Sequence, residues 1–274
     1  MRKLSKDDIS YFLQGLKKKR VKCPYCGSVP VVYARKYFVI EICRCLDCGL
    51  FFVNPFYLPK EGIESFYNDS YSSDATELPN VGSLELMKMN NFSGSRKDYN
   101  SRLIIIRELS NGNRLLEFGC SWGYFLFQAK TYGFESIGTE ISKKRADFGR
   151  KNLGVNIFED IASVEGGFDL ICSFHVLEHL TDLSTIFDEF HKRLLPSGSL
   201  IIEVPNFDPE TRGEIVHSII GKVHPLGFCK NFFERNLSRH GFSGINIAGS
   251  YEDLLKNPKD RLTPKDIIVV YAEK

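Results

Sequence analysis

Residues 115–123 read LLEFGCSWG, and about twenty residues further on 136–142 read SIGTEIS. In the first stretch apolar residues and a carboxylate run into small residues at Gly119, Ser121 and Gly123, the pattern of a buried strand turning into a helix. A backbone bare of side chains at such a turn lets a nucleotide-like ligand lie against the chain. The second stretch offers another strand that ends in a carboxylate, Glu140, the layout of a nucleoside site on a doubly wound sheet. The small residues are spaced G-x-S-x-G directly after an acidic residue, and no phosphate-cradling lysine follows. A ligand with a ribose and a cationic end therefore suits Glu117 and Glu140 better than a pyrophosphate does.

Working outward, strand-like and helix-like segments alternate. RKDYNSRLIIIRELSNG spaces Tyr99, Leu103, Ile106 and Leu109 at helical intervals and ends in an Asn-Gly stop. RLLEF, a helix from about Tyr124 to Tyr132, ESIGTE, a helix from Lys143 to Asn152, VNIFE and FDLICSF follow. A helix around Thr185 to Leu195 and, after a Pro-Ser-Gly turn, SLIIEVP complete the series. An amphipathic helix (Phe232 to His240) and two extended stretches, FSGINIAG and DIIVVYAE, close the chain. This order predicts an α/β sandwich, Rossmann-like, with helices on both faces of a mostly parallel sheet.

The eight cysteines form a second pattern. Cys23 and Cys26 lie in CPYCG, Cys45 and Cys48 in CLDCG, with eighteen residues between the pairs. That spacing is the one expected of a four-thiolate structural Zn2+ site, since two knuckles with a glycine after the second cysteine leave amides to hydrogen-bond the sulfurs. Redox pairs or disulfides fit less well in a chain otherwise read as cytosolic. Cys43 lacks a paired knuckle, and Cys120, Cys172 and Cys229 read as buried thiols. VVYARKYFVIEIC, between the knuckles, has hairpin character, so residues 21–53 read as a zinc ribbon.

The 274 residues suffice for one substantial domain plus a small one. The 43% hydrophobic and 26% charged content is that of an ordinary globular protein. No apolar run is long enough to span a bilayer, and MRKLSKDDIS lacks the features of a secretory signal, so a cytoplasmic location is expected. The formal charge of +2 is cancelled if four thiolates hold a zinc ion, so a global pull on nucleic acid is absent. LKKKR (16–20) reads as a solvated face. Residues 54–100, rich in Pro, Ser, Asn and Tyr with short helical pieces such as ESFY and LELMKM, read as a linker or lid across the site mouth.

With its E-F-G-C-S-W-G turn, Glu140 and the strand series, the stretch 101–274 resembles the class I S-adenosylmethionine-dependent methyltransferases, whose glycine motif is E-x-G-x-G-x-G. The departure is Ser121 at the middle glycine. The resemblance implies a seven-stranded sheet whose final strand pair supplies a reversed edge strand. It also implies that Gly119, Ser121 and Gly123 surround the aminoacyl and ribose portion of S-adenosylmethionine, with Glu117 near the ammonium and Glu140 on the ribose hydroxyls. Asp160, in FED (158–160), would meet the adenine amino group or else serve as a loop cap. Ser173, Phe174 and His175 would follow the fourth strand at the cleft. Domain boundaries follow: 1–53 for the basic segment and ribbon, 54–100 for the linker, 101–274 for the methyltransferase domain.

EVPN (203–206), HPLGFCKNFFERNLSRHGF (224–242) and CGLFFVNP (48–55) sharpen the resemblance to zinc-ribbon methyltransferases of small molecules, sugars and cell-surface polysaccharide precursors. His175 and His224 are the acceptor-side candidates, able to take a proton from a hydroxyl if their pKa lies near neutrality, with Asn206 and Glu203 nearby. Other readings use the same letters. G-C-S-W-G also matches the hydrolase nucleophile elbow, and HVLEH (175–179) matches H-x-x-E-H, in which His175 and His179 would bind catalytic zinc with Glu178 as base. An RNA methyltransferase using the ribbon to hold RNA, and a noncatalytic protein with a decayed cofactor loop, are the functional rivals. The chain lacks the N-P-P-Y motif of enzymes that methylate exocyclic base nitrogens. Nothing in the sequence assigns an oligomeric state.

Overall fold

Alternation along the strands decides which core each side chain serves. In β4 (Arg114–Phe118) Leu115 and Leu116 point to opposite faces and join different apolar clusters; Leu170 and Ile171 of β7 (Phe168–Phe174), and Leu200 and Ile201 of β8 (Leu194–Pro205), divide the same way. A sheet buried on both faces follows, and helices cover each side. The computed structural model describes residues 21–36, 40–56, 77–213, 219–257 and 264–274, with Leu13 and Leu16 ahead of them. The rest of the basic run at 16–20, the ESFY piece (64–67) and most of the first half of the 54–100 stretch lie outside the described residues.

The main sheet has seven strands in the order β10-β11-β8-β7-β4-β5-β6, with β5 at Glu135–Thr139, β6 at Asn156–Phe158, β10 at Ser243–Ala248 and β11 at Ile267–Glu273. β4 pairs in parallel with both β5 and β7, and β7 with β8. The chain thus runs outward from β4 to β6, then returns to the other side of β4, so the C-terminal ends of β4 and β7 flank the point where strand order reverses. Open sheets of this kind bind ligands there. β11 is antiparallel to both β8 and β10, so the reversed strand lies inside the sheet and β10 is the edge. The sequence reading, which put the reversed strand at the edge, is corrected on this point.

Among the helices, α1 (Val81–Met89) realises the LELMKM piece and α2 (Asn100–Leu109) the Tyr99–Leu109 periodicity. α3 (Tyr124–Ala129) and α4 (Lys143–Leu153) follow β4 and β5. α5 (Leu183–Arg193) precedes β8, which begins five residues earlier than SLIIEVP because Leu194 already pairs with Phe168 across an irregularity in register.

The cysteine-bearing segment makes its own antiparallel sheet: β1 (Val31–Lys36), β2 (Ile40–Arg44), β3 (Phe51–Asn54) and β9 (Leu226–Gly227). β9 comes from the far end of the sequence, pairing Phe52 with Leu226. Asn236, ending α6 (Lys230–Asn236), donates from Nδ2 to the Cys48 carbonyl at 2.8 Å, and Tyr25 Oη meets His240 Nε2 at 2.8 Å. Cys23, Cys45, Cys48, Leu50 and Phe52 belong to the same apolar cluster as Phe187, Phe228 and Phe232. The small sheet and the large one therefore share a core. None of the helices among the described residues is long and apolar enough to cross a membrane.

Candidate active site

Where β4 ends, the chain turns through positive φ at Gly119 (+78°), Ser121 (+51°) and Gly123 (+76°). A methyl group on Gly119 would overlap Val176, and one on Gly123 would stand 2.7 Å from Val155 Cγ2, so both positions require the bare backbone. Ser121 adopts a conformation that side chains disfavour, and its Oγ is buried without a hydrogen-bond partner.

The turn is anchored to the end of β5. Gly119 and Cys120 donate their N–H groups to the Thr139 carbonyl, each at 2.9 Å. Ser121 N–H donates to Glu140 Oε2 at 2.9 Å, and Ser142 N–H to Glu140 Oε1 at 2.8 Å. Arg145 Nη1 stands 3.7 Å from Glu140 Oε1. Burial raises the Glu140 pKa despite these bonds. Glu117 is also buried, and its Oε2 has no hydrogen-bond partner. Burial first, and then the charge of Glu140, push its pKa well above the ordinary carboxylate value. Two desolvated carboxylates facing the crossover cleft form a site that a cationic, hydroxyl-bearing ligand would complement.

The opposite lip follows β7. His175, also at positive φ (+55°), donates its N–H to the Glu203 carbonyl at 2.8 Å, and its Nε2 lies 2.8 Å from Glu203 Oε1. Its Nδ1 stands 3.6 Å from Glu178 Oε1. Glu203 is buried and also meets Arg102 Nη1 at 3.3 Å, and Arg102 lies over the rings of Tyr99 and Tyr251. Desolvation works against a charged imidazole here, but the two carboxylates beside it, Glu178 at 3.6 Å and Glu203 in a hydrogen bond, outweigh it and raise His175 to about 10. A shift in this direction favours the imidazolium at neutral pH. His224 shifts the other way, lowered by burial and then by the charge of His179.

Several expected residues have local partners. Asp160 is exposed and accepts from Ser163 N–H at 2.7 Å and Ser163 Oγ at 2.9 Å, the loop-cap geometry. Ser173 is buried within β7 with no partner for its Oγ. Asn206 is a clamp: its Nδ2 donates to Thr211 Oγ1 and to the carbonyls of Pro264 and Lys265, and its Oδ1 accepts from Asp208 N–H. Ser121 lacks the histidine contact that a nucleophile elbow needs, since its buried Oγ has no hydrogen-bond partner among the described residues. Nor does HVLEH form a helical zinc pair: residues 177–179 are a single 3₁₀ turn, and His224, forty-five residues away, replaces His175 in the cluster with Glu178 and His179. Arg102, Tyr99 and Tyr251 were not anticipated. The one available signal was an arginine three residues after Tyr99, next to the apolar face of α2.

The four cysteines of the two knuckles converge, with all ligand atoms within 4.8 Å of one another. Cys23 Sγ is 3.6 Å from Cys48 Sγ, and Cys26 Sγ is 3.4 Å from Cys45 Sγ. The hydrogen bond from Cys48 lowers the Cys23 thiol to about 5, while Cys48 is raised. Matching turns, Gly27 N–H to the Cys23 carbonyl at 2.9 Å and Gly49 N–H to the Cys45 carbonyl at 3.0 Å, shape the two knuckles alike.

Comparison with known proteins accords with this geometry. The family described as "Methyltransferase domain" matches residues 95–239, just over half of the chain. A probable fatty acid methyltransferase of Mycobacterium tuberculosis is 31% identical over 104 residues, covering 34% of this chain and 24% of that protein. The chain thus spans about a quarter of the length of that curated relative. Among solved structures, an S-adenosylmethionine-dependent methyltransferase from Archaeoglobus fulgidus superposes with a TM-score of 0.50 at 22% identity, over 71% of this chain and 100% of that one. Phosphoethanolamine N-methyltransferase 2 of Haemonchus contortus, in complex with S-adenosyl-L-methionine, gives 0.57 at 17% identity, over 82% and 62%. At these identities the structures establish the fold alone. The chain belongs to the methyltransferase-domain family, a family of enzymes.

Proposed function

We propose that this enzyme transfers a methyl group from S-adenosylmethionine to a small molecule, a sugar or a cell-surface glycan precursor. The observation that carries the reading is the pair Glu117 and Glu140, buried carboxylates at the ends of neighbouring strands beside a turn in which a methyl group on Gly119 would overlap Val176. The residues fit the cofactor: the orphaned Glu117 Oε2 calls for a cation, and Glu140, fixed by two backbone N–H groups, has acceptor capacity for ribose hydroxyls. Gly119, Ser121 and Gly123 would lie against the cofactor, Asp160 would reach the adenine edge, and Ser173 would support the floor of the cleft.

When bound, S-adenosylmethionine supplies a methyl group on a sulfonium, which needs little covalent help. The chain's own residues would align the acceptor and exclude water. His175, as an imidazolium held by Glu203 and Glu178, would donate a hydrogen bond to the acceptor. His224, with its basicity lowered, would present a neutral imidazole on the same side, linked to His175 through Glu178. The cysteine cluster would hold structural Zn2+, whose four thiolates leave no open position for chemistry. It would stiffen the small sheet that β9 ties to the catalytic core. Residues 54–100 would act as the linker that brings the ribbon to the catalytic domain.

A screen of radiolabelled methyl transfer from S-adenosylmethionine to nucleotide sugars, glycans, lipid acids and RNA tests the assignment. Label on a small or sugar acceptor is expected. Label on RNA alone would move the assignment to the RNA-modifying reading.

A further inference from the structure

We propose that Glu178, His179 and His224 form a second, mononuclear metal site that takes a divalent cation of the zinc class, separate from the four-cysteine cluster. One ligand atom from each residue lies within 4.8 Å of the others. The two imidazoles are already oriented as metal ligands are. His179 Nδ1 lies 2.7 Å from the Val223 carbonyl and His224 Nδ1 3.2 Å from the Ile219 carbonyl. A ring that donates from Nδ1 to a carbonyl carries its lone pair on Nε2, the arrangement by which a backbone carbonyl fixes tautomer and ring direction in metal sites. The rings meet edge to face with centroids 4.7 Å apart.

The carboxylate supplies the independent observation. Glu178 is 2% exposed, and neither oxygen has a hydrogen-bond partner among the described residues. Its recorded ion pair is with His175 Nδ1, 3.6 Å from Oε1 and beyond hydrogen-bond reach. The His175 charge offsets only part of the cost of a buried carboxylate without hydrogen bonds, and a cation held jointly with two imidazoles would lower the remainder. Two histidines and a carboxylate suit zinc and the neighbouring transition ions, not calcium or magnesium, which prefer all-oxygen shells. Three protein ligands leave an open position, unlike four cysteines. The site adjoins His175 on the acceptor lip, so the open position would take water or an acceptor oxygen. With the cation bound, His224 serves as a ligand and does not act as a proton acceptor. The proposal does not depend on methyl transfer.

The test uses the full chain with its cysteine cluster loaded with zinc. Cobalt(II) is added and the visible spectrum recorded, with metal per chain counted after gel filtration. The expected result is one further equivalent with ligand-field bands and no thiolate charge transfer, lost in Glu178→Gln and His224→Ala. His224→Cys should retain the equivalent and gain a cobalt–thiolate band, a signature that a merely structural role would not produce. No cobalt uptake by the folded wild-type chain, or equal uptake in all variants, overturns the proposal. Should the variants fail to fold, the wild-type spectrum decides alone, since nitrogen and oxygen ligation is either present or absent.

Discussion

Ser121 donates its backbone N–H to Glu140 Oε2 across 2.9 Å, so the carboxylate that ends one strand holds the turn that ends its neighbour. Ser142 N–H grips the other oxygen, and removing the carboxylate would orphan both donors in a buried place. Glu140→Ala should therefore cost about 2–4 kcal/mol of folding stability, one to three per unsatisfied donor less what relaxation recovers. Urea unfolding of the cofactor-free protein measures this, and a variant as stable as wild type would show that the bonds do not hold the turn.

Replacing Ser121 by glycine should be nearly neutral for folding. Relief of the φ of +51° contributes about 1 kcal/mol, and the freer unfolded chain offsets about 0.4–1 kcal/mol of it. Cofactor affinity should be kept or improved. Cofactor titration and methyl transfer on Ser121→Gly check this, and loss of either would show that the serine side chain is needed.

At Gly119 the space is closed. An alanine there meets Val176 and must sustain φ +78°, so Gly119→Ala should lose about 2–4 kcal/mol and most cofactor binding. Gly119→Ala,Val176→Ala restores space but not backbone freedom, and thermal melts of the two should show partial recovery.

The pH dependence of stability has a definite sign. His175 is raised to about 10 in the fold, so its contribution is complete below the ordinary histidine pKa near 6.5 and is lost as pH rises toward 10. The imidazole is 43% exposed, and after discounting for screening about 1–2 kcal/mol should disappear across that window. Denaturant unfolding of wild type and His175→Gln at several pH values tests this: the variant's curve should be flatter by that amount.

Metal removal should act on the whole molecule. Because the cysteine knuckles share a core with Phe187 and Phe232, stripping the zinc proposed for them should lower the single Tm by about 10 °C or more, as a loss of several kcal/mol does. Scanning calorimetry with a chelator, compared with Cys48→Ser, checks it; an unchanged main transition would show that the small sheet is energetically separate.

Much of this was legible in the letters because it was local. Leu115–Leu116 and Leu170–Ile171 declare a sheet buried on both sides, and the paired CxxC knuckles declare their own convergence. What escaped was non-local or too short to carry a period. β9 is two residues long, so its pairing with Phe51 and Phe52 leaves no pattern in Leu226–Gly227. The reversed strand was placed at the edge because pairing order is not written in either strand's composition. Residues of the lip after β7 come from four places: Arg102, His175 with Glu178, Glu203 and Tyr251. Their mutual charge, which raises His175 where a lone histidine would titrate near neutrality, exists only once the sheet is assembled.

The turn after β4 and the carboxylate after β5 are proposed to bind S-adenosylmethionine. Calorimetric titration of metal-quantified protein with S-adenosylmethionine and S-adenosylhomocysteine, beside folded Gly119→Arg and Glu140→Ala, tests it most directly. Saturable binding by wild type at one site per chain, lost in both variants, is the predicted result. No binding by folded, zinc-replete wild-type protein would contradict the account and favour a noncatalytic role.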